Sequence, residues 1–189
     1  MPFERTTQTV HSALVTVFAE VDIRFDYPDD VRTFQPSSGG WTIDQILEHI
    51  SLTNHYLMLT LKKWVATAEK RAARGDPIPE GESDLQKVDI IGERGSFSWI
   101  RPDHMEPTGE LSSKEVRETL HRQRDECLVL LERIRAGVGA LCHIKMTVND
   151  LGKIDLYQWL YFLVQHAHRH LQQMAEIEKE FSAESPQSG

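Results

Sequence analysis

Three times the chain sets a short hydroxylated or acidic residue three positions ahead of Gln or Glu at the head of an apolar stripe. The pairs are Thr42 and Gln45 in "WTIDQ", Ser112 and Glu115 in "SSKE", and Asp155 and Gln158 just after "LGK". The first N–H groups of a helix lack acceptors within the helix, and this spacing lets two side chains satisfy two such groups reciprocally. Each pair opens a run of apolar residues at helical spacing. Ile46, Leu47, Ile50, Leu57, Leu61 and Val65 follow the first, and Val116, Leu120, Cys127, Leu131 and Ile134 the second. Leu156, Leu160, Leu163, Leu171, Met174 and Ile177 follow the third. A further stripe of Val10, Leu14, Val17, Phe18 and Val21 lies in a segment from about Phe3 to Phe25. Strand-like alternation is nearly absent. Four helices with one apolar stripe each bury those stripes by packing them together, so the expected fold is an all-α four-helix bundle.

At 189 residues the chain fits one domain, expected over 1–182, with a polar, disordered tail over 183–189. The second helix should end near Arg74. From about Gly75 to Glu110 the sequence is rich in Gly, Pro and charge, and a loop of that length between two helices usually covers something or moves. Within it "VDII" reads as a short strand or a turn. The formal charge of −8 is spread as mixed acid and base, without a basic block to neutralise a row of phosphates, which excludes nucleic acid as a partner. Cys127 and Cys142 have no CxxC or paired framework and fit a reducing cytosol. No apolar run approaches membrane-spanning length and no signal-peptide pattern opens the chain, so a cytoplasmic protein without membrane contact is expected.

The last helix carries "QHAHRHLQQM". At about 100° per residue, His166 and His170 lie roughly 40° apart and share the side of Leu160, Leu163 and Met174, whereas His168 points to the polar side. Two inward imidazoles one turn apart can converge on one metal ion; each could equally be a core histidine bonded to a carbonyl or an acid. A third ligand could come from the second helix, where His49 lies on a flank beside Thr53 and Tyr56 and His55 on the outward side. Periodicity prefers His49 without showing that this flank faces the last helix. His11, His104, His121 and His143 have no partner spacing.

"WTIDQILEHI" together with "HAHRHLQQM" resembles the DinB/YfiT-like superfamily. Its members share a Trp-Ser/Thr helix start with a histidine eight residues after the Trp, and a late H-x-x-x-H-x-x-Q segment. Trp41, Thr42 and His49, then His166, His170 and Gln173, match that pattern. The resemblance extends through "MEPTGELSSKEVRETLHRQRDECLVLL" and "LGKIDLYQWL", which look like the lead-ins to helices three and four. It implies a four-helix bundle holding one divalent ion through His49, His166 and His170, and it makes a homodimer plausible. The loop of about 75–110 departs from the smaller members, which weakens any inference about substrate.

Three neutral imidazoles leave coordination positions open, as in catalytic sites. An ion there can activate water or stabilise a thiolate at neutral pH. Zinc or nickel comes first, and iron, manganese or copper is compatible with imidazole ligands. The expected function is transfer of a low-molecular-weight thiol to a small electrophilic substrate, or hydrolysis of one; the alternative is a non-catalytic metal-binding or stress-responsive bundle. Asn54 and Gln123 sit on apolar stripes and Gln173 follows the ligand pair, so these three are candidates for supporting or substrate-contacting roles, against a reading as satisfied core or surface amides. Asp44 and Glu48 could orient a ligand histidine, but a solvated helix face is the expectation for both. Cys127 reads as an inert core residue. In "GERGSFSWIRP", Arg94 and Arg101 around Phe97 and Trp99 could cover a pocket, although anchoring aromatics are the simpler reading. The segment lacks the GK[ST] ending of a nucleotide-binding loop.

Overall fold

A computed structural model describes residues 2–37, 39–95 and 102–184. The protein is predominantly helical. Four long helices supply most of the core: α1 (Glu4–Ile23), α3 (Ile43–Ala73), α4 (Ser113–Arg133) and α5 (Leu156–Glu184), with a single-turn helix α2 (Asp29–Arg32) between the first two. α1 and α3 each pack against both α4 and α5. The stripe Val10, Leu14, Val17, Phe18 and Val21 of α1 is buried, as are Ile46, Leu47, Ile50, Leu61 and Val65 of α3.

All three reciprocal caps form. The Thr42 hydroxyl accepts from Gln45 N while the Thr42 N–H donates to Gln45 Oε1, and Ser112 and Glu115 repeat the pattern. At α5 the Gln158 N–H donates to Asp155 Oδ1 at 2.8 Å and the Asp155 N–H to Gln158 Oε1 at 2.9 Å. α1 ends in a 3-10 turn over Arg24–Asp26. α5 runs through Glu184; the remainder of the expected tail, 185–189, lies outside the described residues.

Two features depart from an all-α expectation. A small antiparallel hairpin, β1 (His143–Met146) and β2 (Gly152–Asp155), pairs His143 with Asp155 and Met146 with Gly152 and delivers the chain directly into α5. Four-residue strands are too short for alternation to be read from sequence. The other concerns "VDII", which belongs to a 3-10 helix over Leu85–Gly92 that lies along α5 and buries Val88 and Ile91. Asp84 O, Asp89 and Gly92 O accept in turn from the amides of Gln158, Gln165 and Gln172. Gly92 runs so close to α5 that a Cβ there would collide with the Gln165 side-chain amide. Much of the long inter-helix segment is therefore a packed strap. Phe97, Trp99 and Arg101 lie outside the described residues, and Arg94 pairs with Glu176 at 2.5 Å.

An ion-pair cluster ties α4 to α1. Arg117 forks onto Asp22 and Asp26, and His121 bonds Asp22 Oδ1 at 2.6 Å. The Arg117 hydrogen bond, outweighing the opposing effect of burial and aided by His121, holds the Asp22 carboxyl down at about 2, against 3.8 ordinarily. A carboxyl with a lowered folded-state value contributes stability that is complete above its ordinary value and disappears as pH falls through about 2. Arg117→Ala should therefore cost about 1–2 kcal/mol at neutral pH, allowing for solvent screening of a partly exposed pair. Thermal unfolding should show that gap closing near pH 2.

Candidate metal centre

The register of α3 against α5 brings His49, His166 and His170 together. The two helices are cross-linked below the histidines, where Trp159 Nε1–H donates to the Leu57 carbonyl at 3.1 Å. Above that link, His166 Nε2 lies 3.3 Å from His49 Nε2 and 3.1 Å from His170 Nε2. The three rings stand edge to face with centroids 4.6–5.2 Å apart, all are buried, and their ligand atoms lie within 4.8 Å of one another.

Tautomers follow from the outer ring nitrogens. His49 Nδ1 is 2.7 Å from the Met105 carbonyl, which can only accept, so Nδ1 carries the proton and Nε2 is bare. His170 Nδ1 donates to Gln173 Oε1 at 3.0 Å, which likewise bares its Nε2 toward the cluster. Burial first, then His170, His49 and Arg169, hold the His166 imidazole well below its ordinary 6.5, so it is neutral at neutral pH. A single proton on His166 Nε2 cannot serve the two separate lone pairs of His49 and His170. A divalent cation can. Tetrahedral metal–nitrogen bonds of about 2.0–2.1 Å imply ligand nitrogens about 3.3–3.4 Å apart, close to the two separations from His166 Nε2.

The other predicted residues divide. His168 is exposed and meets Gln172, and His55 is exposed against Tyr56. Gln173 contacts the cluster by accepting from His170. Gln123 does something else: its amide donates to Ser51 O at 2.8 Å, tying α4 to α3. Asn54 is fully buried, and neither of its amide atoms has a hydrogen-bond partner among the described residues. Burial pushes the Cys127 thiol up to about 12, which keeps it protonated and inert.

Asp44 and Glu48 do not form a solvated face. Asp44 receives Arg32, whose guanidinium also reaches Ser113 Oγ at 2.8 Å. Glu48 is 3% exposed and accepts from Thr108 N, Thr108 Oγ1 and Gly109 N at 2.8–3.0 Å. Residues 105–109 are thus gripped by adjacent side chains of α3, one of them a cluster histidine. Trp41 covers His49 at a ring separation of 4.7 Å, and the His104 ring packs, tilted, against Tyr56 at 4.1 Å beside the same segment. Met105 and His104 have no sequence signal, because a carbonyl acceptor and a ring contact between a loop and a helix leave no spacing rule.

A family model for the DinB superfamily matches residues 3–174. The chain belongs to the DinB superfamily. Members are typically metal-binding, in keeping with a buried three-histidine cluster able to hold an ion. The chain is also similar to YuaE of Bacillus subtilis (strain 168), an uncharacterized protein, with 24% identity over 156 residues that cover 80% of this chain and 85% of the relative. No solved structure matches it significantly. Among the described residues of this DinB-superfamily protein, no helix is long and apolar enough to cross a membrane.

A cation that binds only the folded state stabilises it. At a concentration a hundredfold above its dissociation constant, a divalent ion held by the three histidines should add about 2.7 kcal/mol, raising the unfolding temperature by about 5–11 °C for a chain of this size. Differential scanning calorimetry should register that rise in the wild type and none in His166→Ala.

Proposed function

We propose that this DinB-superfamily protein is a four-helix-bundle metalloenzyme that transfers a low-molecular-weight thiol to a small electrophile, or hydrolyses one. In this reading His49, His166 and His170 hold one divalent ion, zinc or nickel in the first instance. The observation that carries it is the convergence of three buried Nε2 atoms, two of them bared by hydrogen bonds at the opposite ring nitrogen. When bound, the ion would supply a Lewis acid able to activate water or a thiol as nucleophile.

The chain's own residues do the positioning. Met105 O and Gln173 Oε1 hold two rings in the ligand tautomer, which also raises the basicity of their Nε2 atoms. Trp41 covers one side of His49 and limits water there. Three protein ligands leave at least one position for substrate or cosubstrate, which favours catalysis over a closed structural site. Net charge of −8 and the absence of a basic block support a small-molecule partner over nucleic acid.

Elemental analysis of protein purified without an affinity tag, followed by a thiol-conjugation and esterase panel, tests the proposal. About one equivalent of metal and turnover in at least one assay are expected, with both reduced at least tenfold in His170→Ala. Full metal retention in His170→Ala would contradict the ligand set. Metal without turnover would favour the alternative, a non-catalytic metal-binding bundle in which the ion is structural or sequesters a ligand.

A further inference from the structure

We infer that Glu48 is a positioning residue for the metal centre, anchoring the segment 105–109 so that its backbone fixes His49 as a ligand. This rests on the proposed metal site and assigns a role to a residue outside the ligand set. A carboxylate 3% exposed is costly unless its oxygens are well supplied with donors. Glu48 has three, the Thr108 N–H at 3.0 Å, the Thr108 hydroxyl at 2.8 Å and the Gly109 N–H at 2.8 Å. Two consecutive backbone N–H groups converging on one anion form a backbone cradle, and Gly109 then turns the chain away at φ +70°.

Three residues before Thr108, the Met105 carbonyl accepts from His49 Nδ1. Glu48 and His49 are neighbours on α3, so one helix turn grips both ends of a five-residue segment. Pro107 between the two grips narrows the conformations open to it. The consequence reaches the cluster through a single ring. With Met105 O in place, the His49 proton sits on Nδ1 and Nε2 faces the other imidazoles. With the segment released, His49 can take the opposite tautomer or turn, and one ligand position is lost. Glu48 thus acts on the ion through the loop backbone and His49.

The test measures metal affinity directly on the full chain. Cobalt(II) and zinc(II) would be titrated against a chromophoric chelator in the wild type, Glu48→Gln and Thr108→Val, with the visible spectrum of the cobalt forms recorded. Glu48→Gln should bind about 10- to 100-fold more weakly, with a changed cobalt spectrum and unchanged helical circular dichroism. Thr108→Val, which removes one donor of three, should show a smaller loss. A residue that only staples the loop would alter unfolding but leave affinity and spectrum alone, so a folded Glu48→Gln with affinity within twofold of wild type and the same spectrum overturns the inference. Should Glu48→Gln not fold, amide exchange in the wild type decides. Slower exchange at Thr108 and Gly109 on adding zinc is expected, and unchanged exchange there overturns it. A wild type that binds neither metal is recognisable before any variant is made; it refutes the metal site itself and this inference with it.

Discussion

Antiparallel registration of α3 against α5 is the constraint from which the histidine cluster follows. Two contacts mark it: the Nε2 atoms of His49 and His166 at 3.3 Å, and the bond from Trp159 to the Leu57 carbonyl at 3.1 Å. Along α3 the links are separated by eight residues, about 12 Å of helix, and along α5 by seven, about 10.5 Å in the opposite chain direction. The near match makes both attainable in one rigid docking. A slip of one helical turn, about 5.4 Å, would put Gln45 or Thr53 where His49 stands and leave the Trp159 indole N–H without Leu57 O. Register here decides whether a ligand set exists at all.

With the register fixed, the electrostatics of the cluster follow from burial and from what each outer nitrogen touches. The bare Nε2 atoms of His49 and His170 turn two lone pairs toward His166, and one proton there can relieve only one of them. Burial and the neighbouring rings keep His166 neutral, so at neutral pH no imidazolium charge there opposes an arriving cation. The stability given up by assembling such a cluster is recoverable by a divalent ion, which couples folding to metal binding. The polar contacts at Met105 O and Gln173 Oε1 sit outside the cluster and settle its chemistry from behind.

Much of this was legible in the chain, and the reasons differ by element. The three capped starts were readable because a capping box is local, needing only four consecutive residues to agree, and each formed as spaced. His166 and His170 were readable as a pair because an i,i+4 spacing fixes their relative direction on any helix. Periodicity could only prefer His49 over His55, since the rotation and register of α3 against α5 are tertiary quantities; family resemblance supplied what local pattern could not. The solvated face expected for Glu48 fails for the same reason. A carboxylate on a helix flank looks solvated until a segment sixty residues away lays its N–H groups on it. The hairpin ahead of α5 went unread because strands of four residues offer too few alternations, and its main signal, the turn at Asn149 and Asp150 with positive φ, lies in ordinary-looking residues.

The early turns of α3 bear on whether the site is catalytic or structural. Glu48, His49, Ser51, Thr53 and Asn54 are all buried, five polar side chains within seven positions of a helix that could have presented apolar groups to the core. Some of the cost is offset: Glu48 has its three donors, the Ser51 hydroxyl donates to Glu48 O, and Gln123 reaches Ser51 O. Thr53 Oγ1 and both amide atoms of Asn54 have no hydrogen-bond partner among the described residues. Each unsatisfied buried group costs on the order of 1–3 kcal/mol, a large fraction of a domain's net stability. A closed structural metal site would need only its ligands and their immediate supports. Under the proposed function, the buried polar groups beyond that set on the helix that supplies His49 would be candidates for handling substrate rather than for holding the ion.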